Sequence, residues 1–249
     1  MGTDFKQKNA KEILKPEELE RYRAEMAYFH DKLAILHHNV YFLQKIADFP
    51  FDLFVMPYSD CFLKIIFDSL LQLSVLQITK LMTDSGRDAR KITGFNAFMN
   101  RAVKDEFLPN YRKELRKVSF TRRFHALVNK AKDLRDKHIA HSAGEPVAGL
   151  SFEEIKEIVQ ELTNLFNAAS FETEYRYLII AYDPTVQRSS DRDDRPDIER
   201  ILDGIARDSS VLRLPEDNAM GWPHMRSSWS EKKIEQFNLY RRKCGLPEV

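Results

Sequence analysis

Cysteine, glycine and proline are scarce in this 249-residue chain, and each shortage excludes a class of protein. The two cysteines, Cys61 and Cys244, are too few for a disulfide framework or a four-cysteine metal site. Only 8 glycines and 10 prolines occur, which favours long helices over a turn-rich β-fold. We therefore predict an all-α protein, and the low cysteine content fits a reducing, cytoplasmic setting.

Long uninterrupted apolar runs are also missing. Residues 1–15 contain no apolar core of the kind that a signal peptide needs. The most apolar stretch, residues 62–82, is interrupted by charged and amide side chains, namely Lys64, Asp68, Gln72, Gln77 and Lys80. We expect this stretch to be a core helix rather than a membrane span, and we expect no membrane partner.

Motifs for several kinds of chemistry are absent as well. The chain has no glycine-rich phosphate loop and no nucleophile elbow, which argues against P-loop nucleotide hydrolysis and Ser-triad hydrolysis. His138 and His141 stand three residues apart, but no Glu-x-x-His, His-Glu-x-x-His or cysteine pair completes a metal site. We expect no metal and no cofactor.

Apolar residues recur at three- and four-residue steps along most of the chain, which predicts an up-and-down helical bundle. The predicted helices cover residues 16–48, 59–83, 93–103, 110–117 and 119–143, and another begins at a capping box, Ser151 to Glu154. Phe49 to Pro57 is predicted to be a connection, and the helix over 59–83 should be central because it is apolar nearly all round. Both a continued helix and a short strand fit Tyr175 to Tyr182.

The charged, apolar-poor segment 183–195 is predicted to be a linker, because it cannot bury a core. It divides a helical bundle over residues 1–182 from a C-terminal helical extension over residues 196–249. That extension should contain a helix over 196–207 and a final helix that begins after Ser228 or Ser230 and ends at Gly245. Trp222 and Trp229, which lie among cations, fit docking on the protein itself or stacking on bases.

Positive charge is concentrated in one part of the chain. The net charge is only +1, yet residues 101–141 contain 12 Lys/Arg against 5 Asp/Glu. Such a basic belt suits a polyanion such as RNA, although helical bundles often carry solvated basic faces. The candidate RNA-binding residues are Arg112, Lys113, Arg116, Lys117, Arg122 and Arg123.

The belt ends in an arginine and a histidine, Arg135 and His141, separated by five residues in the predicted helix. RNA supplies its own nucleophile, the 2′-hydroxyl, so its cleavage needs only a proton acceptor and a cation near the phosphate. In a regular helix the two residues lie about 120° apart around the axis and roughly 9 Å apart along it, so they can meet one phosphate only through the reach of the arginine or in a second copy. A two-fold dimer would bring each Arg to its partner's His. A surface arginine beside a helix-terminal histidine, with His138 as a core histidine, remains the plain alternative.

The segment Leu134 to Ser142 resembles the signature of the HEPN superfamily, small helical-bundle proteins that share an Arg, four to six residues, and then a His. Its Ala-His-Ser ending is similar to the abortive-infection branch of that superfamily, which belongs to bacterial phage defence and toxin–antitoxin systems. The resemblance covers roughly residues 15–182, and its specific part is this nine-residue motif.

The resemblance implies a metal-independent endoribonuclease that acts as a homodimer, either as a toxin or as a phage-defence effector. A further possibility is a toxin that a cognate antitoxin, such as a small nucleotidyltransferase, holds inactive. Arg135 and His141 would be catalytic and Asp136, where Asn is common in the family, would support them. Further supporting candidates at the motif are Lys137, His138 and Ser142. Because many HEPN proteins are inactive, a catalytically silent scaffold that binds RNA or a partner protein is the alternative.

Overall fold

Helices dominate the structure. The computed structural model describes residues 9–54, 60–82, 98–118, 121–139, 149–170, 173, 197–213, 223 and 226–249. Its α-helices include α1 (Ala10–Ile13), α2 (Leu19–Asp48), α3 (Phe51–Phe54), α4 (Asp60–Met82), α5 (Leu108–Leu115), α6 (Arg122–Leu134), α7 (Phe152–Ser170), α8 (Asp197–Asp208) and α9 (Glu231–Lys243). Residues 98–102 are also helical, and the described part of the chain contains no strand. The predicted all-α fold is confirmed.

Local capping explains why many helices begin where the sequence predicts. The bounds of α2, α4, α5 and α8 agree to within three residues with the predicted ranges, which were 16–48, 59–83, 110–117 and 196–207. The predicted capping box before α7 is present, because Glu154 N–H donates to Ser151 Oγ at 3.2 Å and Ser151 N–H donates to Glu154 Oε2 at 2.8 Å. Ser230 caps α9, and Gly245 follows it with a φ of 72°.

Several predicted features lie outside the described residues and stay predictions. They are the terminal residues of the helices predicted over 59–83 and 119–143, the start of the helix over 93–103, the helix or strand over 175–182, the linker over 183–195 and the role of Trp222. Trp229 is described, and its ring contacts that of Phe237 edge to face at 5.1 Å between centroids.

The predicted connection from Phe49 to Pro57 contains a short helix, α3, which the sequence interpretation missed. Leu53 N–H donates to Pro50 C=O at 2.9 Å, and Phe49, Leu53 and Phe54 are buried. Apolar residues four positions apart can share one face of a helical turn, and a proline is tolerated where that turn begins. The two prolines therefore flank a helical turn rather than prevent one.

Helix α4 is buried mainly in its second half, so the expectation of a central helix holds only for that half. Val75 and Ile78 are buried, whereas Ile65 is 62% exposed and Leu73 is 37% exposed. In the part of the chain described, one helical stretch, Lys64–Met82, is long and apolar enough to cross a membrane, and 39% of it is buried. This criterion uses length and composition alone, and the core helix of a soluble protein also meets it.

The chain forms two compact units. The first contains Met1–Tyr41 and Ser69–Val186, and the second contains Phe42–Asp68 and Gln187–Val249. The second unit therefore includes residues from the middle of the chain as well as the C-terminal extension. Whether residues 1–182 and 196–249 are separate domains stays a prediction.

In the first unit, α7 packs antiparallel to α2. The buried Tyr22 hydroxyl lies 3.1 Å from Ala169 C=O, to which it donates, and the His37 ring nitrogen Nε2 lies 2.9 Å from Thr163 Oγ1. The α2 positions rise as the α7 positions fall, which is the order expected of antiparallel helices. Helices α5 and α6 pack on the same helix, α7.

Helix α6 contacts α7 through a narrow apolar stripe. Phe124, Leu127, Val128 and Ala131 are buried, and this spacing of three and four residues defines one face of the helix. Thr121 caps α6 by accepting the Phe124 N–H through its side chain. The stripe therefore sets which residues of α6 face α7 and which face solvent.

Two ion pairs join α6 to α7 at one edge of that stripe. Arg123 Nε lies 2.7 Å from Glu157, and Lys130 Nζ lies 2.8 Å from Glu154. The Lys130 hydrogen bond and the Ser151 N–H hold the pKa of the Glu154 carboxyl below its usual range, and Arg123 likewise lowers the pKa of Glu157. Both carboxyls are therefore ionised at neutral pH.

The second unit has a core of its own. The Phe49 and Phe54 rings contact Tyr240 with centroids 5.8 Å and 4.8 Å away. Lys45 pairs with Glu199 in the same unit. The guanidinium of Arg241, a buried residue, donates to the carbonyl oxygens of Leu212 and Pro247, and these bonds satisfy a charge that would otherwise be costly to bury. Burial and the nearby Asp203 raise the pKa of Tyr240.

We predict that Glu154→Gln destabilises the protein at neutral pH but not in acid. Glutamine keeps the capping box and removes the charge, which costs ~0.5 kcal/mol for a surface pair whose side chains are 28% and 23% exposed. Since pairing lowers the folded-state pKa of Glu154, its contribution is complete above the unfolded pKa of about 4.5 and is lost as the pH falls through the folded value. Urea unfolding of both proteins at pH 7 and at about pH 3 measures the difference.

The control for this comparison is Asp133→Asn. Asp133 is exposed on α6 and forms no ion pair with any described residue, so its substitution removes a carboxylate without removing such a contact. If Glu154→Gln lowers the free energy of unfolding as much at about pH 3 as at pH 7, the stabilisation does not come from the charge of Glu154.

Candidate active site

The α-helical part of the motif segment ends one residue before Arg135. Helix α6 continues as a π-helical turn, Arg135–Ile139, in place of the regular α-helix predicted over 119–143. The estimate of about 120° between Arg135 and His141 assumed 3.6 residues per turn, so it does not hold across this wider turn. Wide turns of this kind are often found at functional sites.

Arg135 lies at the margin of the buried stripe, as the spacing predicts. Its side chain is 20% exposed, and it follows the buried Val128 by seven residues and Ala131 by four. Its backbone is still helical, with φ −59° and ψ −53°. Packing against the core thus fixes the position from which the Arg135 side chain extends.

Asp136 pairs with Arg135. Arg135 Nε lies 2.8 Å from Asp136 Oδ1, and the Asp136 side chain is 44% exposed. Adjacent residues do not face each other on a regular helix, so this contact joins two side chains that would otherwise point apart. The carboxylate restricts the guanidinium and also adds a negative charge beside it.

The remaining motif residues are described only in part. Lys137 is exposed, and the backbone of His138 lies in the π-helical turn. The catalytic candidate His141 and its neighbour Ser142 lie outside the described residues, as does the side chain of His138. Among the residues that are described, no group of three or more His, Cys, Asp or Glu is placed to hold a metal ion.

The six predicted RNA-binding residues fall into two groups. Arg123 pairs with Glu157, Lys117 Nζ lies 2.7 Å from Glu114, and Arg112 Nε donates to Asn100 Oδ1 at 3.3 Å. The other three are exposed and form no ion pair within the described part of the chain. These are Lys113, Arg116 and Arg122. Of these contacts, only the pairing of Arg123 with Glu157 sets a carboxylate from outside residues 101–141 against the belt.

The sequence interpretation missed the carboxylates that oppose this belt. Glu154 and Glu157 belong to α7, and their pairing with Lys130 and Arg123 follows only once α6 and α7 are known to be antiparallel. The sequence contains only a weak signal for this pairing. The two cations are seven residues apart and the two acids are three apart, so each pair shares one face of its helix. The π-helical turn has no such signal in the sequence.

This arrangement suits the binding of a phosphate oxygen. A guanidinium presents five donors in a plane, and in Arg135 the Nε donor is bonded to Asp136. A side chain held at the edge of the core and oriented by a neighbouring acceptor loses less freedom when it binds an anion. An acid–base group placed nearby would complete a site for phosphoryl chemistry.

A family model described as AbiU2, of the HEPN type, matches residues 17–177, which is more than half of the chain and includes Arg135 and Asp136. Neither the curated proteins nor the solved structures contain a match.

We predict that Asp136 slows the exchange of the Arg135 Nε–H with water. In Asp136→Ala the exchange should be about fivefold faster, which corresponds to ~1 kcal/mol, the upper value for a pair this exposed. Asp136→Asn should retain most of the protection, since its amide oxygen still accepts. The measurement is NMR of the arginine Nε–H signals.

Arg207 is the internal reference for this measurement. It is exposed on α8 and makes no ion pair within the described residues, so its Nε–H should exchange rapidly in every variant. If the Arg135 Nε–H of the unaltered protein exchanged as fast as that of Arg207, the protecting role of Asp136 would be contradicted.

Proposed function

Because the chain belongs to the AbiU2 family of HEPN proteins, we propose that it is a metal-independent endoribonuclease of phage defence or a toxin–antitoxin system. The observation that carries this proposal is the Arg135 side chain, held at the edge of the core and paired with Asp136 at the start of the motif. The family model covers this position, and its basic surroundings suit RNA.

The reaction is an internal transfer of the phosphate. The 2′-hydroxyl oxygen attacks the adjacent phosphorus and gives up its proton, and the bond from phosphorus to the 5′-oxygen breaks. The leaving oxygen takes a proton, so the products carry a 2′,3′-cyclic phosphate and a 5′-hydroxyl. His141 acts as the base towards the 2′-hydroxyl or as the acid towards the leaving oxygen, because an unperturbed histidine titrates near neutral pH.

Arg135 binds the phosphate and stabilises the negative charge that develops on it in the transition state. A guanidinium suits this role because it is always charged and can donate two parallel hydrogen bonds to phosphate oxygens. Asp136 acts as a positioning residue through its bond with Arg135 Nε. Lys137, His138 and Ser142 remain further candidates at the same motif.

The active form in this proposal is a homodimer. A two-fold axis that pairs the motif segments places each Arg135 near the His141 of the other copy, so that two composite sites form. A nucleotidyltransferase-type antitoxin is the proposed partner that keeps the enzyme inactive, and the cytoplasm, where RNA is abundant, is the proposed setting.

The second candidate function is a silent HEPN scaffold that binds RNA or a protein. The observation in its favour is the Asp136 carboxylate, which lies against the Arg135 guanidinium and opposes the approach of a phosphate. A scaffold of this kind binds its partner without cutting RNA, so the same experiment separates the two functions.

We predict that the purified protein cleaves total cellular RNA in the presence of EDTA. The fragments should end in 2′,3′-cyclic phosphates and 5′-hydroxyls. His141→Ala and Arg135→Ala should each reduce the rate by about 100-fold or more, the usual effect of losing an acid–base or charge-stabilising group. The measurement is gel analysis of the fragments with chemical identification of their ends.

Two substitutions serve as matched controls for this assay. His38→Ala removes an exposed histidine of α2 and Arg207→Ala an exposed arginine of α8, and both variants should cut at the rate of the unaltered protein. Loss of cleavage in EDTA, or a His141→Ala variant that remains fully active, would overturn the mechanism. Binding of RNA without cleavage by a folded dimer would favour the scaffold.

A further inference from the structure

The two sides of α6 differ in what their cations contact. On one side, Arg123 and Lys130 pair with Glu157 and Glu154 of α7. With about 100° of rotation per residue, these two cations lie roughly 80–100° from Ala131, which is at the centre of the buried stripe. The charge on this side is therefore matched by carboxylates.

The opposite side of α6 is exposed and leads to Arg135. By the same rotation, Lys132, His125 and Asn129 lie about 100°, 120° and 160° from Ala131 in the other direction, and Arg122 lies opposite the stripe. Arg135 lies about 40° from Ala131 in that same direction. Arg122, His125, Asn129 and Lys132 are all exposed, and we call these four the approach row.

The approach row is positive. Arg122 and Lys132 form no ion pair with any residue in the described ranges, in contrast to Lys130, two positions from Lys132. The carboxylates on the exposed face of this segment, Asp133 and Asp136, both lie near its C-terminal end, and Asp136 is paired with Arg135. Helix α6 has no acidic residue between Arg122 and Lys132.

We propose that single-stranded RNA reaches Arg135 along the approach row, an inference that rests on the proposed endoribonuclease function. Arg122 and Lys132 bind phosphates at either end of the row. Between them, His125 supplies a flat ring that can stack on a base, and Asn129 supplies an amide that can hydrogen-bond to a base edge. The approach row thus offers contacts both to the phosphates of the RNA and to its bases.

The dimensions fit a short single strand. Arg122 and Arg135 are thirteen residues apart, which is about 20 Å along a helix. At a spacing of about 3.4 Å per stacked nucleotide, this distance covers on the order of six nucleotides, within the range of known single-strand sites. A single strand fits better than a duplex, whose bases are stacked and paired and so cannot meet the ring of His125.

A matched pair of substitutions tests this route. Lys132→Gln and Lys130→Gln remove the same charge from the same helix two residues apart, but only Lys132 belongs to the approach row. The probe is a fluorescent 12-nucleotide single-stranded RNA with 2′-O-methyl groups, which cannot be cut because it lacks the nucleophile. Binding is measured by anisotropy at several salt concentrations, after the variants are shown to unfold at similar urea concentrations.

Lys132→Gln should weaken binding by about three- to tenfold and reduce the slope of log affinity against log salt by about 0.7. Adding Arg122→Gln should reduce the slope by about 1.4 in total. Lys130→Gln should leave the slope unchanged, because its charge is already matched by Glu154. Substitution of His125 by Ala should weaken binding with no change in slope at a pH where histidine is neutral.

Equal losses in Lys132→Gln and Lys130→Gln would overturn the route, since binding would then follow net charge alone. No loss in either variant, or tighter binding of an RNA duplex of equal length, would also overturn it. Because the probe cannot be cut, this result is independent of catalysis. Binding that depends on Lys132, together with no cleavage of ordinary RNA, would support the route and reject the endoribonuclease.

Discussion

The packing of α6 against α7 is the constraint on which the candidate site depends. Phe124, Leu127, Val128 and Ala131 bury one face of α6, and two ion pairs with Glu154 and Glu157 flank that face on one side. Loss of a large buried side chain such as Phe124 typically costs about 3–5 kcal/mol, whereas ion pairs at the protein surface contribute far less. The apolar stripe therefore sets the rotation of α6, and the ion pairs distinguish its two sides.

Placement of Arg135 follows from that rotation. Arg135 lies at the edge of the stripe, so the aliphatic part of its side chain is partly buried. Its guanidinium remains beside Asp136 near solvent. The helix then widens into the π-helical turn, Arg135–Ile139, which carries the motif away from the regular α-helical path. A cation held in place by a neighbouring carboxylate suits the binding of a phosphate, and the AbiU2 family model covers this position.

The sequence predicts the helices well because their signals are local. The Ser151 capping box, the Ser230 cap and the glycine at 245 each act within a few residues, and the structure has all three. The missed features depend on contacts between distant residues. The pairing of Lys130 with Glu154 requires the antiparallel packing of two helices, and the exposure of Ile65 shows that an apolar helix need not be buried along its whole length.

The Arg135–His141 spacing was the most informative sequence feature, and the family match over residues 17–177 confirms the HEPN resemblance that it indicated. The structure adds the contacts of Arg135, which spacing alone does not provide. It also divides the basic belt into paired and unpaired cations, because carboxylates distant in sequence, those of Glu154 and Glu157, oppose two of its members. Composition gives the total charge of a segment, but only packing decides which charges a ligand can meet.

The most direct test of the central claim is complementation between two inactive variants. Arg135→Ala and His141→Ala are mixed under conditions that exchange subunits, and cleavage of RNA is measured in EDTA. If each site takes Arg135 from one copy and His141 from the other, half of the dimers are mixed and each contains one intact site, so about a quarter of the original activity should return. A mixture that forms mixed dimers yet stays as inactive as its parents would contradict the composite site.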